Sequence, residues 1–321
     1  MDSGKLTHGD VLPIIVSCFL WISVFCLFMA QPCKGAQLPE GEEKVRVICF
    51  LSSLEGMEEI NDQITKGMQA EAEEHPEISL SIYGVSDFGK VDFTQLVRIF
   101  LAMKGDYMIS FAMPGMEDAV PLIEKEHVRL ILFDSDMKEK EARLSFIGTD
   151  NPELVDQIMD SVADNRVKPH VAVFVMPVHS TTMTRLRKIE SEIKERKNFT
   201  LSNITYLPKR DVMTASEEMR QVLSSDPGIN AIICIDTYST EIAARALGDL
   251  PRSYYAVGFD TSEVSVKALK DGVLDCLAVQ DFQKMGKISI QTVQKDMAGE
   301  KVFDHAVNGL VLSSQSAEKI P

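Results

Sequence analysis

The chain has 321 residues, 45% of them hydrophobic and 25% charged, with a formal net charge of −15. That length and apolar content suit one large globular domain or two medium ones and exclude a disordered chain. Asp2 and Asp10 offset Lys5 and Lys34, so the negative charge belongs to the body that follows, and a body this acidic repels phosphate backbones and excludes nucleic acid as a partner.

Residues 11–30, VLPIIVSCFLWISVFCLFMA, carry no charge and are about long enough to span a bilayer. A secretory signal has a basic start, a shorter apolar core and a small-x-small cleavage site. Here Lys5 is the only basic side chain before the run, and no A-x-A site follows, so an uncleaved anchor stands beside a cleaved signal. Either reading carries the body across the cytoplasmic membrane, into the cell envelope or beyond. A lipidated Cys33 is a third option, but Ala30, Gln31 and Pro32 do not match the small residues usual before such a cysteine. Of the six cysteines, Cys18 and Cys26 lie in the apolar run, and Cys49, Cys234 and Cys276 fall inside strand-like runs. None forms a C-x-x-C pair, so neither a zinc site nor a redox motif is indicated.

After a polar linker at 37–43, strand-like and helix-like segments alternate. Residues 45–51 (VRVICFL) predict a strand, and 57–74 a helix with Ile60, Ile64, Met68 and Ala72 on one face. Strands are expected at 78–83, 107–112, 128–133 and 144–147, with helices at 93–103 and 116–126 between them. A second series follows: helix 153–163, strand 170–175 (HVAVFV), helix 182–196, strand 201–206, helix 215–223, strand 231–235, helix 240–247 and strand 254–258. Helix 264–270, strand 274–279, a long helix 282–297 and a strand at 307–312 close the chain. Strand then helix, repeated this often, gives α/β architecture with parallel sheets and helices on both faces. Two such series predict two doubly wound lobes.

The chain has no G-x-G-x-x-G or G-x-x-x-x-G-K-[ST] phosphate loop, no H-E-x-x-H and no G-x-S-x-G. Its six histidines are scattered without ligand spacing. No cofactor, metal or catalytic set is therefore expected, and the chain reads as a binding protein and not an enzyme. His179 and Ser180 sit at a strand-to-helix turn, where a loop or capping role is expected. Asp134, Arg187, Asp260 and Gln280 differ in kind. Asp134 and Asp260 follow apolar strands at their carboxyl ends, where ligands bind in open α/β sheets. Arg187 lies more than one turn into the helix after 170–175, and Gln280 ends a strand. Carboxylates accept hydrogen bonds, the guanidinium fork donates them, and an amide does both, a set that suits a polyol. Each aspartate could instead cap a following helix, Asp260 before Thr261 and Ser262 included.

Several runs act together: FIGTDN at 146–151, DPGINAI at 226–232, AVGFD at 256–260, KDG at 270–272, AVQ at 278–280, MG at 285–286 and MAGE at 297–300. With them the chain resembles the type 1 periplasmic binding proteins of the ribose/galactose-binding family over about 45–312. It is also similar to the ligand domain of lac-repressor-type regulators. The resemblance implies two lobes joined by three crossings, near Thr149–Asp150, Gln280 and Val302. The N-terminal lobe would comprise 37–149 and 281–302, the C-terminal lobe 150–280 and 303–321, preceded by a signal or anchor with linker at 1–36. It also places Asp134, Arg187, Asp260 and Gln280 at polar sugar contacts, with Asp236 in an Asn-Asp element whose asparagine position holds Ile235. One departure stands out. The aromatic pair that such proteins carry after the first strand is missing, and Ile60 and Asn61 stand about where it should be. Sugar C–H faces pack on rings, so another polyol, a modified sugar or a small signal molecule stays open. The implied function is extracytoplasmic capture of a sugar or polyol for an ABC permease; the alternative is a membrane-anchored sensing module reporting to a sensor kinase. Two sequons, at Asn198 and Asn203, complete the features of note.

Overall fold

The computed structural model describes residues 44–314 and 316, apart from 54–56, 86–90, 114, 177–179, 208–210, 249 and 251–253. The apolar run 11–30 and Cys18, Cys26 and Cys33 lie outside them; among the described residues, no helix is long and apolar enough to cross a membrane.

The apolar runs become β1 (Val45–Ser52), β2 (Ile78–Val85), β3 (Tyr107–Ser110), β4 (Arg129–Phe133) and β5 (Ser145–Thr149), then β6 (His170–Val175), β7 (Thr200–Tyr206), β8 (Ala231–Cys234), β9 (Tyr255–Phe259) and β10 (Cys276–Val279). Two short strands follow, β11 (His305–Val307) and β12 (Leu310–Ser313). The helices between them are α1 (Glu58–Glu73), α2 (Phe93–Ala102), α3 (Val120–Lys125), α4 (Asn151–Asn165), α5 (Ser180–Glu195), α6 (Val212–Ser225), α7 (Thr237–Leu247), α8 (Glu263–Lys270) and α9 (Phe282–Met297). Aspartate starts many of them: Asp92, Asp150, Asp211, Asp236 and Asp281 each accept a backbone N–H from the first turn of α2, α4, α6, α7 and α9. Such caps satisfy amides that the helix itself leaves open.

The strands assemble into two sheets, ordered β11-β5-β4-β3-β1-β2 and β12-β10-β9-β8-β6-β7. Every pairing is parallel except β10 with β12. Counted within its own lobe, each sheet has the doubly wound order 2-1-3-4-5, an order in which ligands bind at the carboxyl ends of the strands. Strand alternation sends Val171, Val173 and Val175 into one core with α4 and α5, and Ala172 and Phe174 into the other with α6, α7 and α8. In the first lobe α1 and α9 touch backbone to backbone, because a Cβ on Gly286 would overlap the Ile64 carbonyl and one on Gly67 the Gln283 carbonyl.

The chain passes between the sheets at Asp150, at Gln280–Asp281 and at Asn308–Gly309. The last passage departs from the expectation at Val302. Residues 303–307 still belong to the first lobe, because His305–Val307 pairs with Ile147–Thr149 and covers the otherwise open edge of β5. The single strand expected at 307–312 is thus two strands, one in each sheet. The Asp150 N–H donates to the Val307 carbonyl at 2.8 Å, tying the first passage to the third.

Candidate functional site

Equivalent aspartates end equivalent strands. Asp134 follows β4 and Asp260 follows β9, and both adopt left-handed backbone, with φ of 57° and 61°. Each N–H donates at 2.9 Å to the neighbouring strand, Asp134 to the Ile147 carbonyl and Asp260 to Ala278. A non-glycine residue in that region is uncommon, and aspartate tolerates it better than most. In a site-forming position such strain is a functional indicator.

Asp260 sits in a closed polar network. Its Oδ1 accepts from Gln280 Nε2 at 2.9 Å and its Oδ2 from Thr237 Oγ1 at 2.8 Å. Gln280 Oε1 accepts from Thr149 Oγ1 at 2.6 Å and from Arg185 Nη2 at 2.8 Å. Arg185 also donates through Nε to Asn151 Oδ1 at 2.7 Å and through Nη1 to the Ile235 carbonyl at 3.2 Å. Its guanidinium carbon lies 3.9 Å from the Phe259 ring centroid, a stacked geometry open to arginine but not to lysine. Thr149, Asn151 and Gln280 come from the first and second passages, so the network is built where the lobes join.

The electrostatics match the burial. Desolvation pushes the Arg185 guanidinium below its ordinary value, and the fields of Asp260, Asp134 and Asp236 act in the opposite direction. Burial likewise raises the Asp260 carboxyl, while Arg185 and the donors from Gln280 and Thr237 counter it and Asp134 adds to it. From the first lobe, α1 brings Glu59 to the Thr261 hydroxyl and close to Asp260; burial first, then the carboxylates of Asp260 and Asp62, hold it above the usual range against the hydrogen bond with Thr261. The lobes also meet through Ser135 Oγ and Thr181 Oγ1 at 3.1 Å, and through Ser180 Oγ donating to the Asp136 carbonyl at 3.0 Å.

Of the residues expected at the site, Asp134, Asp260 and Gln280 come together around Arg185. Asp134 is half-buried, and its Oδ2 accepts from Ser135 Oγ at 3.0 Å. Arg187 does not join them: it is exposed on α5, and Arg185 takes the place foreseen for it. Residues two positions apart on a helix point about 200° apart, so only one of Arg185 and Arg187 can face the sheet. Arg185 shares the buried stripe with Thr182, Leu186, Ile189 and Ile193, and that i, i+4, i+8 relation to Ile189 and Ile193 is legible in the sequence. Asp236 is buried beside Arg185, but its carboxylate serves the backbone. Oδ1 caps α7 at Ser239 N, 2.7 Å away, and Oδ2 accepts from Met176 N at 2.8 Å. Asp260 is no cap, since Ser262 performs that function for α8. Thr149, Asn151, Thr237 and Glu59 were not foreseen as site residues. The first two lie inside FIGTDN, and the strand-end rule that selected Gln280 applies equally to Thr149. Ile60 and Asn61 hold no ring, and Asn61 Nδ2 donates to the Ser52 carbonyl at 2.5 Å.

Other candidate groups lie apart from this network. Cys49, Cys234 and Cys276 are buried free thiols, whose burial pushes their pKa up, suppresses the reactive thiolate and leaves them inert. Glu71, Glu74 and His75 bring ligand-type atoms within 4.8 Å of one another at the C-terminal end of α1. The Glu71 oxygens are nonetheless engaged by Gln291 Nε2 at 3.0 Å and Lys287 Nζ at 3.2 Å.

A model of the periplasmic binding protein domain matches residues 48–301, and the chain belongs to that family. A comparison with curated proteins finds no match. Among solved structures, the chain is similar to GanP, a glucose-galactose binding protein from Geobacillus stearothermophilus, at 19% identity and a TM-score of 0.74 over 85% of this chain and 98% of that one. It is also similar to an ABC transporter solute binding protein from Bacillus halodurans with bound myo-inositol, at 18% identity and a TM-score of 0.70 over 87% and 98%. A third is a solute binding protein from Agrobacterium vitis with bound D-fucose, at 18% identity and a TM-score of 0.74 over 86% and 97%. At these identities the likeness is one of fold.

Proposed function

We propose that the protein binds a small hydroxylated ligand, a sugar or polyol, between its lobes, outside the cytoplasmic membrane, and delivers it to an ABC permease. One observation carries this reading: Asp134 from one lobe and Asp260, Gln280 and Arg185 from the other share one electrostatic field at the strand ends. The sugars and the cyclitol held by proteins of the same fold support the ligand class.

Gln280 and Thr237 each donate to one Asp260 oxygen, and Arg185 in turn holds Gln280, so Asp260 is fixed in place. Asp134 Oδ1 and Glu59 supply the acceptors for ligand hydroxyls, and lobe closure removes the competing water. A ligand that contacts both lobes favours the closed form by its differential affinity. Without an aromatic pair, selectivity rests on hydrogen bonds: an unsatisfied carboxylate in a closed cleft is costly, and that cost rejects ligands lacking the matching hydroxyl.

The test is a thermal-shift screen of the full chain against D-galactose, D-fucose, D-arabinose and myo-inositol. A ligand that binds only the native state raises the melting point by mass action. At least one sugar or polyol is expected to do so. Asp134→Ala should abolish the shift and leave the unliganded melting point within about 2 °C, since the side chain is half-buried and lightly bonded. A shift retained in Asp134→Ala, or no shift with any member of the panel, would overturn the reading.

A further inference from the structure

Arg143 stands outside the ligand network, between the short 3-10 turn Lys140–Ala142 and β5, and its side chain is only 3% exposed. One guanidinium there holds two carboxylates. Nε and Nη2 donate to Asp136 Oδ1 and Oδ2 at 2.6 and 2.8 Å, and Nη1 and Nη2 donate to Asp304 Oδ1 and Oδ2 at 2.6 and 2.9 Å. The fork also lies over the Phe146 ring, 5.6 Å from its centroid. Paired bidentate bonds of this kind fix position as well as charge.

What the two carboxylates are attached to gives the clamp its consequence. Asp304 immediately precedes β11, which leads into the third passage, and its Oδ1 also accepts from the Phe146 N–H at 2.9 Å. Asp136 belongs to the segment that leaves β4, which carries Asp134 and meets α5 of the other lobe. Its carbonyl accepts from Ser180 Oγ, and Ser135 Oγ contacts Thr181 Oγ1. A hinge strand and a closure contact far apart in the chain are thus held by one side chain.

We infer that Arg143 is a positioning residue that couples the third interlobe passage to the loop presenting Asp134, so that the hinge setting and the Ser135/Asp136 contact with α5 change together. Lysine cannot reproduce this, because a single ammonium lacks the planar fork that serves two carboxylates at once. Asp304→Asn loosens only the hinge end, since an amide oxygen still accepts from the Phe146 N–H.

Native-state hydrogen exchange on the full chain, read by mass spectrometry without ligand, tests this. In Arg143→Lys and in Asp304→Asn, amides of 134–137 and of 184–186 in the first turns of α5 should exchange about tenfold faster, while those of β1 and β8 keep the wild-type rate. Acceleration at 134–137 alone would refute the coupling. Acceleration throughout the first sheet would make Arg143 a merely structural residue, and Asp304→Asn, which keeps the guanidinium and its bonds to Asp136, separates that outcome from local coupling if Arg143→Lys folds poorly. The inference concerns the loop of the proposed ligand site, but the measurement needs no sugar, so a negative sugar screen and a negative exchange experiment remain distinguishable.

Discussion

Replacing Arg185 with methionine keeps most of the side-chain volume and removes the one cation in the buried network. The side chain is 4% exposed and donates to three neutral acceptors, Asn151 Oδ1, the Ile235 carbonyl and Gln280 Oε1. Gln280 Oε1 keeps its bond from Thr149, but Asn151 Oδ1 and the Ile235 carbonyl lose a donor, at about 1–3 kcal/mol each. Asp260 and Asp236 lose the positive field that favours their ionised forms. Relief from burying the guanidinium offsets part of this, as does the apolar packing of methionine. The net is a destabilisation of about 3–5 kcal/mol, the range for uncompensated buried charge, or roughly 10 °C in melting point. The loss should depend on pH in a definite sense. Carboxyls whose folded values lie above their unfolded ones stabilise at low pH, and that stability is lost as pH rises through the folded values. Removing Arg185 raises those values further, so the deficit should be smaller at pH 5 than at pH 8. Urea unfolding at both pH values measures it, with exposed Arg187→Ala as a control expected within about 0.5 kcal/mol of wild type. A deficit that grows on acidification, or Arg185→Met as stable as wild type at both pH values, would refute the reasoning.

Two further outcomes follow from the packing and the titration. Gly286→Ala places a Cβ against the Ile64 carbonyl, which cannot yield as a side chain would; it should cost about 2 kcal/mol despite the better helix propensity of alanine, with faster hydrogen exchange in α1 and α9 but not in α6 or α7. Burial pushes Asp236 up to about 6 from an ordinary 3.8, against its hydrogen bonds from Met176, Ser239 and the field of Arg185. Its folded form therefore binds a proton more tightly than the unfolded chain. Relative to Asp236→Asn, wild type should gain up to ~3 kcal/mol as pH falls from about 6 to about 4; a constant difference across that window in paired denaturant melts would show that Asp236 does not titrate as its burial requires.

The two-lobe architecture was legible because strand and helix periods are local. VRVICFL, HVAVFV and the other apolar runs can be placed without knowing their neighbours, and a strand covered on both faces reads as continuous apolar sequence. Asp134, Asp260 and Gln280 were legible for the same reason, since each simply follows such a run. The resemblance places Arg187 at the site, whereas the phase of Ile189 and Ile193 on α5 favours Arg185. The extent of β11 was harder to read. Three residues are too short for a periodic signal, and only the vacant edge of β5 makes them a strand.

By itself, then, the order of residues determined two doubly wound sheets and the strand ends that face the crevice, because backbone periodicity depends on neighbours a few positions away. Tertiary structure alone decided which acid serves what: Asp236 spends both oxygens on backbone amides, Asp260 is locked by Gln280 and Thr237, and Asp136 and Asp304 share Arg143. A carboxylate has the same chemistry wherever it stands in a sequence. Its role is set by which donors the fold brings within about 3 Å, and those donors come from segments that only folding places together.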